Sequence, residues 1–241
     1  MNLLRQLIAN VPQITVDDVI VGVFSTLIKT ETGCGIASTI KYGNPHQRIR
    51  NSGRLEKFNL RSLAELALSE NLLEASVGMA AINSTFPIGD PRYRQINASD
   101  VIVEKGRGKT LGIIGHFPFL ERLSDQFKQV YIFEKQPREG DLGEKDIPEY
   151  LPQVDIVAIT GTTITNHSFE NIIRWSSKNA FKIVLGPSTP LSPVLFDAGI
   201  DVIAGSVVRD YQRVRQQVLQ ATPSRYLEGL EFATLFREDY C

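Results

Sequence analysis

The sequence has few of the residues that cross-link chains or bind metals directly. Its 241 residues include two cysteines, Cys34 and Cys241, and three histidines. The cysteines are far apart and have no zinc-type spacing, and so few of them argue against a disulfide framework. This usage fits a reducing compartment, and we expect a cytoplasmic protein.

The chain also lacks an excess of charge of one sign and any long apolar run. The formal net charge is −1, so no nucleic-acid partner is expected. No run approaches the roughly 20 apolar residues of a membrane span. The first residues contain Arg5 within a short apolar stretch, which is typical of an amphipathic helix and not of a signal peptide. We therefore expect no membrane partner.

A dinucleotide fingerprint is missing as well. The apolar run 111–114 ends at Gly115, and no G-x-G-x-x-G follows. This absence weakens an interpretation based on NAD, and the sequence identifies no cofactor.

Five apolar runs alternate with helical patterns in the second half of the chain. Continuously apolar runs are typical of strands buried on both faces of a parallel sheet, and the alternation predicts βαβ units. We expect an α/β fold whose parallel sheet has helices on both faces. The predicted strands are 111–114, 130–133, 156–159, 183–185 and 202–204, and the predicted helices are 118–127, 168–178, 193–198, 211–219 and 227–241.

The first part of the chain predicts a smaller α+β domain. Residues 19–29 and 34–40 read as an antiparallel hairpin, Ser62 with Glu65 as a capping box, and Asn71 as the start of a second helix. Asn83, near the end of that helix, is either a C-cap or a group that faces a cleft. The strongest break is FPIGDP, which predicts domains over 1–95 and 96–241.

Ligands of parallel sheets bind at the carboxyl ends of the strands, and the first such end carries Gly115, His116 and Phe117. Pro118 suits a first helical position, which makes Phe117 the N-cap and leaves first-turn N–H groups for an anionic ligand. His116 is the candidate catalytic residue, a general acid or base. Alternatively, the His116 side chain only forms a hydrogen bond to a neighbouring loop.

Glu134 ends the second predicted strand, nineteen residues after Gly115. An acidic residue at this point often binds ribose hydroxyls. Alternatively it is a solvated strand end or pairs with Lys135 or Arg138. Asp141, in the loop that follows, is a weaker candidate.

Two hydroxyl-rich loops follow the next strands. Gly161 permits close approach of a ligand to the backbone, while Asn166 is also a plausible helix cap. The candidate ligand-binding residues of these loops are Thr160, Gly161, Thr162, Thr163, Asn166, Ser188 and Thr189.

The polar stretch 41–57 carries six basic or histidine side chains. A solvated face is the preferred interpretation. In the alternative, one or two of these groups reach an anionic ligand held by the second domain.

Several motifs together carry a family resemblance that covers nearly the whole chain. They are GCGIAST, EASVGMAAINS, GHFPF, FEKQPREGDL, AITGTTITNHSF, LGPSTPLSP and GIDVIAGSVVRD. The chain resembles the family labelled putative heavy-metal chelation. The resemblance implies an enolase N-terminal-like domain, a Rossmann-like domain and a site between them. It points to His116, Glu134, Thr160 to Thr163, Asn166 and Ser188, with Asn83 from the first domain.

Three hypotheses for function remain open. The first is a small-molecule enzyme, which the resemblance links to condensation or hydrolysis in making a pterin-, flavin- or siderophore-like chelator. The second is a non-catalytic protein that binds a heavy metal or a metal–chelate complex. Direct metal ligation is disfavoured, because His116 and His167 follow strands that could be roughly 10 Å apart. The third is a methyltransferase that uses S-adenosylmethionine. The expected partner is an anionic or nucleoside-like small molecule, and a homo-oligomer stays open.

Overall fold

A computed structural model gives the structure of residues 2–41 and 47–240. Its elements form two sheets, and they are named here in chain order. The strands are β1 (Asp18–Val21), β2 (Ser25–Lys29), β3 (Cys34–Ser38), β4 (Thr110–Ile114), β5 (Gln129–Glu134), β6 (Leu142–Gly143), β7 (Ile156–Thr160), β8 (Phe181–Leu185), β9 (Val202–Val208) and β10 (Leu230–Phe236). The α-helices are α1 (Asn2–Ala9), α2 (Leu60–Ala64), α3 (Leu72–Asn83), α4 (Ala98–Gly106), α5 (Leu120–Leu123), α6 (Ile147–Tyr150), α7 (Thr162–Thr165), α8 (Phe169–Trp175), α9 (Val194–Asp197) and α10 (Tyr211–Leu219).

The larger sheet has seven strands in the order β10-β9-β8-β7-β4-β5-β6. All neighbours are parallel except β10, which runs antiparallel to β9. The chain leaves β4 towards β5 on one side and later returns to β7 on the other. The order therefore reverses between β4 and β7, which is where ligands bind in open α/β sheets.

Helices pack on both faces of this sheet. On one face Leu111 and Ile113 of β4 contact the buried side of α4. On the other face Ile159 and Val184 share a core with α7, α8 and α9. Strand side chains alternate between faces, so both faces must be apolar. The predicted α/β fold is confirmed.

The smaller sheet is antiparallel, in the order β1-β2-β3. It packs on α3, whose residues 74–83 are all buried. A Cβ on Gly78 would lie 2.0 Å from the Ala67 nitrogen, so glycine is required for α3 to approach the preceding turn. The predicted helix start at Asn71 is confirmed, because its side chain accepts from the Leu73 and Glu74 amides.

The two sheets share one continuous core. Buried side chains from α1, β2 and α3 belong to the same cluster as those from β7, β8 and β9. A second contact sets Ile20, Leu27 and Ile36 against Val214 and Val218 of α10. No separate apolar layer divides the described parts of the two sheets.

The predicted helix over 227–241 is wrong. Residues Leu230–Phe236 form β10, paired with β9 along its whole length. Ala233 and Leu235 are buried on one side, while Phe232 is exposed on the other. The far edge of β10 pairs with Arg94. The Arg94 amide donates to the Thr234 carbonyl at 2.9 Å, and the Thr234 amide donates to the Arg94 carbonyl at 3.0 Å. Cys241 lies outside the described residues.

Three other local predictions are wrong. The predicted helix over 118–127 reduces to the four residues of α5 and a 3-10 turn, and its N-cap is Phe119 instead of Phe117. The single strand predicted over 19–29 is interrupted at Gly22, where a Cβ would meet Val218 at 2.6 Å. Asn59, not Ser62, caps α2. Asp210 caps α10, and its side chain accepts from the Arg213 amide.

Candidate functional site

The carboxyl ends of β4 and β7 meet at the point where the strand order reverses. Gly115 follows β4 with φ +100°, a conformation that favours glycine. A Cβ there would lie 3.2 Å from Thr160 at the end of β7. The predicted strand-end residues of these two loops are therefore neighbours.

His116 is held between two acidic residues of the β5 side. Its backbone amide donates to Glu134 Oε1 at 2.9 Å. Its ring Nε2 lies 2.7 Å from Asp141 Oδ2. The ring is therefore fixed by the loop after β5, and Asp141, the weaker sequence candidate, is its direct partner.

The Asp141 carboxyl is electrostatically stabilised in its charged form. Its side chain is 4% exposed, and this burial alone would raise its pKa. Hydrogen bonds from His116 and from the Arg138 amide outweigh burial and hold the pKa of Asp141 below its ordinary value. An ionised partner of this kind orients an imidazole and stabilises its protonated form.

Glu134 lies where the sequence places it, at the end of β5, but its carboxylate is already engaged. Oε1 accepts from His116 and Oε2 from the Lys135 amide at 3.1 Å. Each carboxylate oxygen can accept a further bond. Binding of a ribose or amine by Glu134 stays a prediction.

The threonine loop after β7 bonds mainly to itself. Thr160 Oγ1 lies 3.0 Å from Thr162 Oγ1, and Thr163 Oγ1 donates to the Thr160 carbonyl at 2.7 Å. Thr163 is buried, whereas Thr160 and Thr162 are half-buried. The pair of half-buried hydroxyls remains the part of this loop suited to a ligand.

Gly161 allows the loops after β7 and β8 to touch. A Cβ on Gly161 would lie 2.6 Å from both the nitrogen and the Oγ1 of Thr189. The Gly161 amide donates to the Leu185 carbonyl at 2.8 Å. This glycine serves close packing between loops, in addition to any approach by a ligand.

Ser188 and Asn83 join the two parts of the chain. Ser188 Oγ accepts the amide of Ser38 at 2.8 Å. Asn83 Nδ2 donates to the carbonyls of Ile36 and Pro187. Asn83 is thus not a C-cap, since Ser84 occupies that position. Both predicted residues lie at the junction of the two sheets.

Three buried polar side-chain atoms of the described chain have no hydrogen-bond partner. They are Asn83 Oδ1, Thr189 Oγ1 and Thr165 Oγ1, none of which has a hydrogen bond within the described chain. A buried acceptor or hydroxyl left without a partner is costly. These atoms are sites for ordered water or for a ligand atom.

Asn166 and His167 have local roles. Asn166 Oδ1 accepts from the amide and hydroxyl of Ser168, whereas Ser168 itself precedes α8 as its N-cap. His167 adopts φ +64°, and its Nε2 lies 2.8 Å from the Ala67 carbonyl. The two strand-end histidines do not share a partner.

A cavity of about 660 Å³ opens at the ends of β4, β8 and β9. Its walls are mainly apolar, and His116, Phe117 and Pro187 lie on it. Phe117 stacks on Phe119 with ring centroids 5.6 Å apart, and Phe232 is 63% exposed. No described residue before Ile96 lines this cavity. The first part of the chain reaches its wall through Ser25 Oγ, 3.0 Å from Ser224 Oγ.

A second cavity of about 300 Å³ lies on the other face of the sheet. Glu134, Asn171 and Trp175 line it, with Ile114 and Phe133 at its base. Trp175 is 42% exposed. His116 lines the larger cavity and Glu134 the smaller one, so the hydrogen bond from the His116 amide to the Glu134 carboxylate lies between the two cavities.

Comparison with known proteins gives the family. Two family models, both described as putative heavy-metal chelation, match residues 97–231 and 4–86. The chain belongs to the putative heavy-metal chelation family.

Relatives of this family share the architecture, and those compared carry no assigned activity. An uncharacterized protein of Methanocaldococcus jannaschii is 26% identical over 178 residues, which cover 71% of this chain and 69% of that protein. A crystal structure of a family protein of unknown function from Desulfitobacterium hafniense matches with a TM-score of 0.85 and 26% identity, covering 98% of each chain. One from Pyrococcus horikoshii matches in fold with a TM-score of 0.80, at 20% identity over 97% and 98% of the chains.

The described side chains do not form a cluster suited to direct chelation of a metal ion. Within the described residues no group of three or more His, Cys, Asp or Glu could hold one. Burial raises the pKa of Cys34 to about 12, whereas metals bind the thiolate. His116 Nε2 and His167 Nε2 are occupied by Asp141 and Ala67.

The predicted basic stretch 41–57 falls partly outside the described residues, since 42–46 are not described. Of the rest, Arg50 forms a bidentate ion pair with Glu74 at 3.1 Å. That pair anchors the stretch to α3, and contact with a ligand stays a prediction. No helix in 2–41 or 47–240 has the length and apolarity needed to cross a membrane.

Proposed function

We propose that this protein is a small-molecule enzyme whose site is the cavity of about 660 Å³ at the strand ends. The observation that carries the proposal is that His116, oriented by Asp141, lies on the wall of this cavity. A large, mainly apolar cavity with a few polar groups is the usual form of a ligand site. We also infer that residues 1–95 and 96–241 form two domains that share one core, and that the first supports the wall through Ser25.

His116 would transfer the proton. When Nε2 carries hydrogen and donates it to Asp141, Nδ1 presents a lone pair that can accept a proton from substrate or water. The ionised Asp141 then stabilises the imidazolium that forms. General acid–base catalysis of this kind contributes roughly 10²–10⁴-fold to a rate. Condensation and hydrolysis both need such a proton carrier.

The aromatic wall favours a planar organic substrate. Phe117, Phe119 and Phe232 offer ring faces and edges for stacking, and Arg225 supplies a cation for an anionic substituent. These features support a pterin-, flavin- or siderophore-like compound, which would supply the metal-binding groups that the chain itself does not cluster. Glu134 lines the smaller cavity on the other face, and Thr160 and Thr162 line neither cavity. These residues would contact the compound only through a part of it that extends beyond the larger cavity.

Native mass spectrometry of the purified protein tests where the ligand binds. We expect a co-purified organic mass that is lost in Ser206→Trp, because Ser206 lines the cavity and the bulkier indole would obstruct the ligand there. Ser52→Trp, at an exposed residue that does not line the cavity, is the matched control and should retain the mass. Retention of the ligand by Ser206→Trp would place the site elsewhere.

Activity separates the enzyme from its alternative, a non-catalytic carrier of a metal–chelate complex. With the co-purified compound or its precursor as substrate, His116→Ala should keep the ligand and lose at least 100-fold in turnover. A carrier would instead return the compound unchanged from the wild-type protein, with its metal still bound. A methyltransferase would transfer a labelled methyl group from S-adenosylmethionine, an assay that can be run on the same samples.

A further inference from the structure

A third large cavity lies at the opposite end of the seven-stranded sheet from His116. It has a volume of about 540 Å³ and is formed where the chain leaves α8 and where it enters β9. Lys182, near the start of β8, and Asp201, directly before β9, both line it. Neither residue belongs to the loops at the carboxyl ends of the strands, where the candidate functional site lies.

The Lys182 ammonium is buried without a carboxylate partner in direct contact. The residue is 6% exposed, and Nζ donates to the Ala180 carbonyl at 2.8 Å. No described carboxylate forms an ion pair with it. Asp201 instead accepts the backbone amide of Lys182 through Oδ2 at 2.8 Å. An ammonium has three N–H donors, so this group can bind a further acceptor.

The surroundings leave this charge under-compensated. Burial lowers the pKa of Lys182, while nearby Asp201 partly offsets that effect and Arg237 adds to it. Burying a cation without a counter-ion in contact costs free energy, and a bound anion would offset part of that cost. A bound anion would also favour the charged form of the lysine.

Three further cations line the same cavity. Arg174 and Lys178 are exposed at its rim, and Arg237 is half-buried. The Arg237 guanidinium donates to the carbonyls of Phe196 and Ile200 and lies 3.8 Å from Asp201. Among the described residues that line the cavity, Asp201 is the one carboxylate. The lining therefore has a clear excess of positive charge.

We propose that this cavity is a second binding site, for a small phosphate-type oxyanion, with Lys182 at its centre and Lys178 and Arg174 at its rim. Charge-assisted hydrogen bonds from ammonium and guanidinium groups are the interactions that bind phosphate most strongly. The cavity is larger than inorganic phosphate, so a phosphate monoester also fits.

Isothermal titration calorimetry with sodium phosphate, at constant ionic strength maintained with sodium chloride, tests the proposal. Wild-type protein should bind one phosphate, and its melting temperature should rise with phosphate but not with chloride. Lys182→Met should weaken binding at least tenfold, and Lys178→Gln two- to fivefold. Glycerol 3-phosphate, titrated in parallel, identifies the preferred form as the ligand that binds more tightly.

The control is Lys128→Met, an exposed lysine before β5 that does not line this cavity. It should bind phosphate as the wild type does. If Lys182→Met does not fold, the phosphate affinity of the exposed Lys178→Gln variant, compared with the wild type, still tests the proposal. No heat of binding in the wild type, or equal affinity in wild type, Lys178→Gln and Lys128→Met, would overturn the proposal.

Discussion

His116 and Asp141 show how one residue gains its properties from another that is distant in sequence. They are 25 positions apart, yet Nε2 and Oδ2 are separated by 2.7 Å. The contact depends on the loop after β5 folding back over the end of β4. The nineteen-residue spacing of Gly115 and Glu134 is readable from the sequence, whereas this loop-dependent contact has no local pattern that would reveal it.

Asp141→Asn should lower stability at neutral pH by about 1–2 kcal/mol, since it weakens two hydrogen bonds to a buried carboxylate. The folded-state pKa of Asp141 is depressed. Its contribution is therefore present above the unfolded pKa and is lost as pH falls through the folded value. Urea unfolding at pH 7 and near pH 3 should show a gap between wild type and variant that narrows in acid. A gap that stays constant with pH would exclude ionisation as the cause.

Gly161→Ala should destabilise the protein by about 1–3 kcal/mol, because the new methyl would overlap Thr189, 2.6 Å away. Gly143→Ala is the matched control. Its Cβ meets nothing closer than 3.6 Å, and its φ of −90° is ordinary. That variant should stay within about 0.5 kcal/mol of the wild type. Equal stability of the two variants, measured by thermal or urea unfolding, would show that the loops can separate without cost.

Among the elements, the loop after β8 connects the two sheets most directly. Ser188 accepts the Ser38 amide of β3, and the neighbouring Pro187 carbonyl accepts from Asn83 of α3. Sequence reasoning selected Ser188 for a ligand because it follows a strand. The structure places this hydroxyl against β3, and Ser188 is 1% exposed.

Ser188→Ala should cost about 1–3 kcal/mol, because the half-buried Ser38 amide would lose its acceptor. Hydrogen exchange should be faster at Ser38 but unchanged at Ile40, whose amide bonds Ser76 Oγ at 3.0 Å. Ser52→Ala, at an exposed position, serves as the stability control. Unaltered exchange at Ser38 would mean that water replaces the hydroxyl.

The elements also show which parts of the fold the sequence could predict. Five parallel strands were readable because each is a short, continuously apolar run, as burial on both faces requires. The cap Asn71 was readable because its signal is local. Strand β10 was not readable from the sequence, because its residues fit a helix or a strand equally well. Its conformation is decided by pairing with β9 and Arg94. Tertiary contacts also affect α5, which is shorter than its helical pattern predicts. Phe117 and Phe119 stack on each other before the helix begins.

At the scale of the whole molecule, the shared core joins two sheets that the sequence separates at a strong break. Ala37 and Ile82 belong to the same buried cluster as Val184 and Ile203. The α3 and β8–β9 regions therefore bury one another. Neither part is expected to keep its packing if the other unfolds.

A single unfolding transition should follow from this shared core. Differential scanning calorimetry should give one peak whose calorimetric and van't Hoff enthalpies agree. Circular dichroism in the far and near ultraviolet should report the same midpoint. Two resolved peaks would show that the sheets unfold independently and that the contacts at Ser188 and α10 are weak.

The chain contains one tryptophan, Trp175. Its side chain is partly exposed and lines the smaller cavity together with Glu134. The protein thus has a built-in optical reporter at a known place. A molecule that enters this smaller cavity and covers Trp175 should shift the emission maximum to shorter wavelength. A molecule bound in the larger cavity, on the opposite face of the sheet, should leave the spectrum nearly unchanged. Unlabelled protein and a fluorimeter can therefore indicate which face of the sheet a candidate compound occupies.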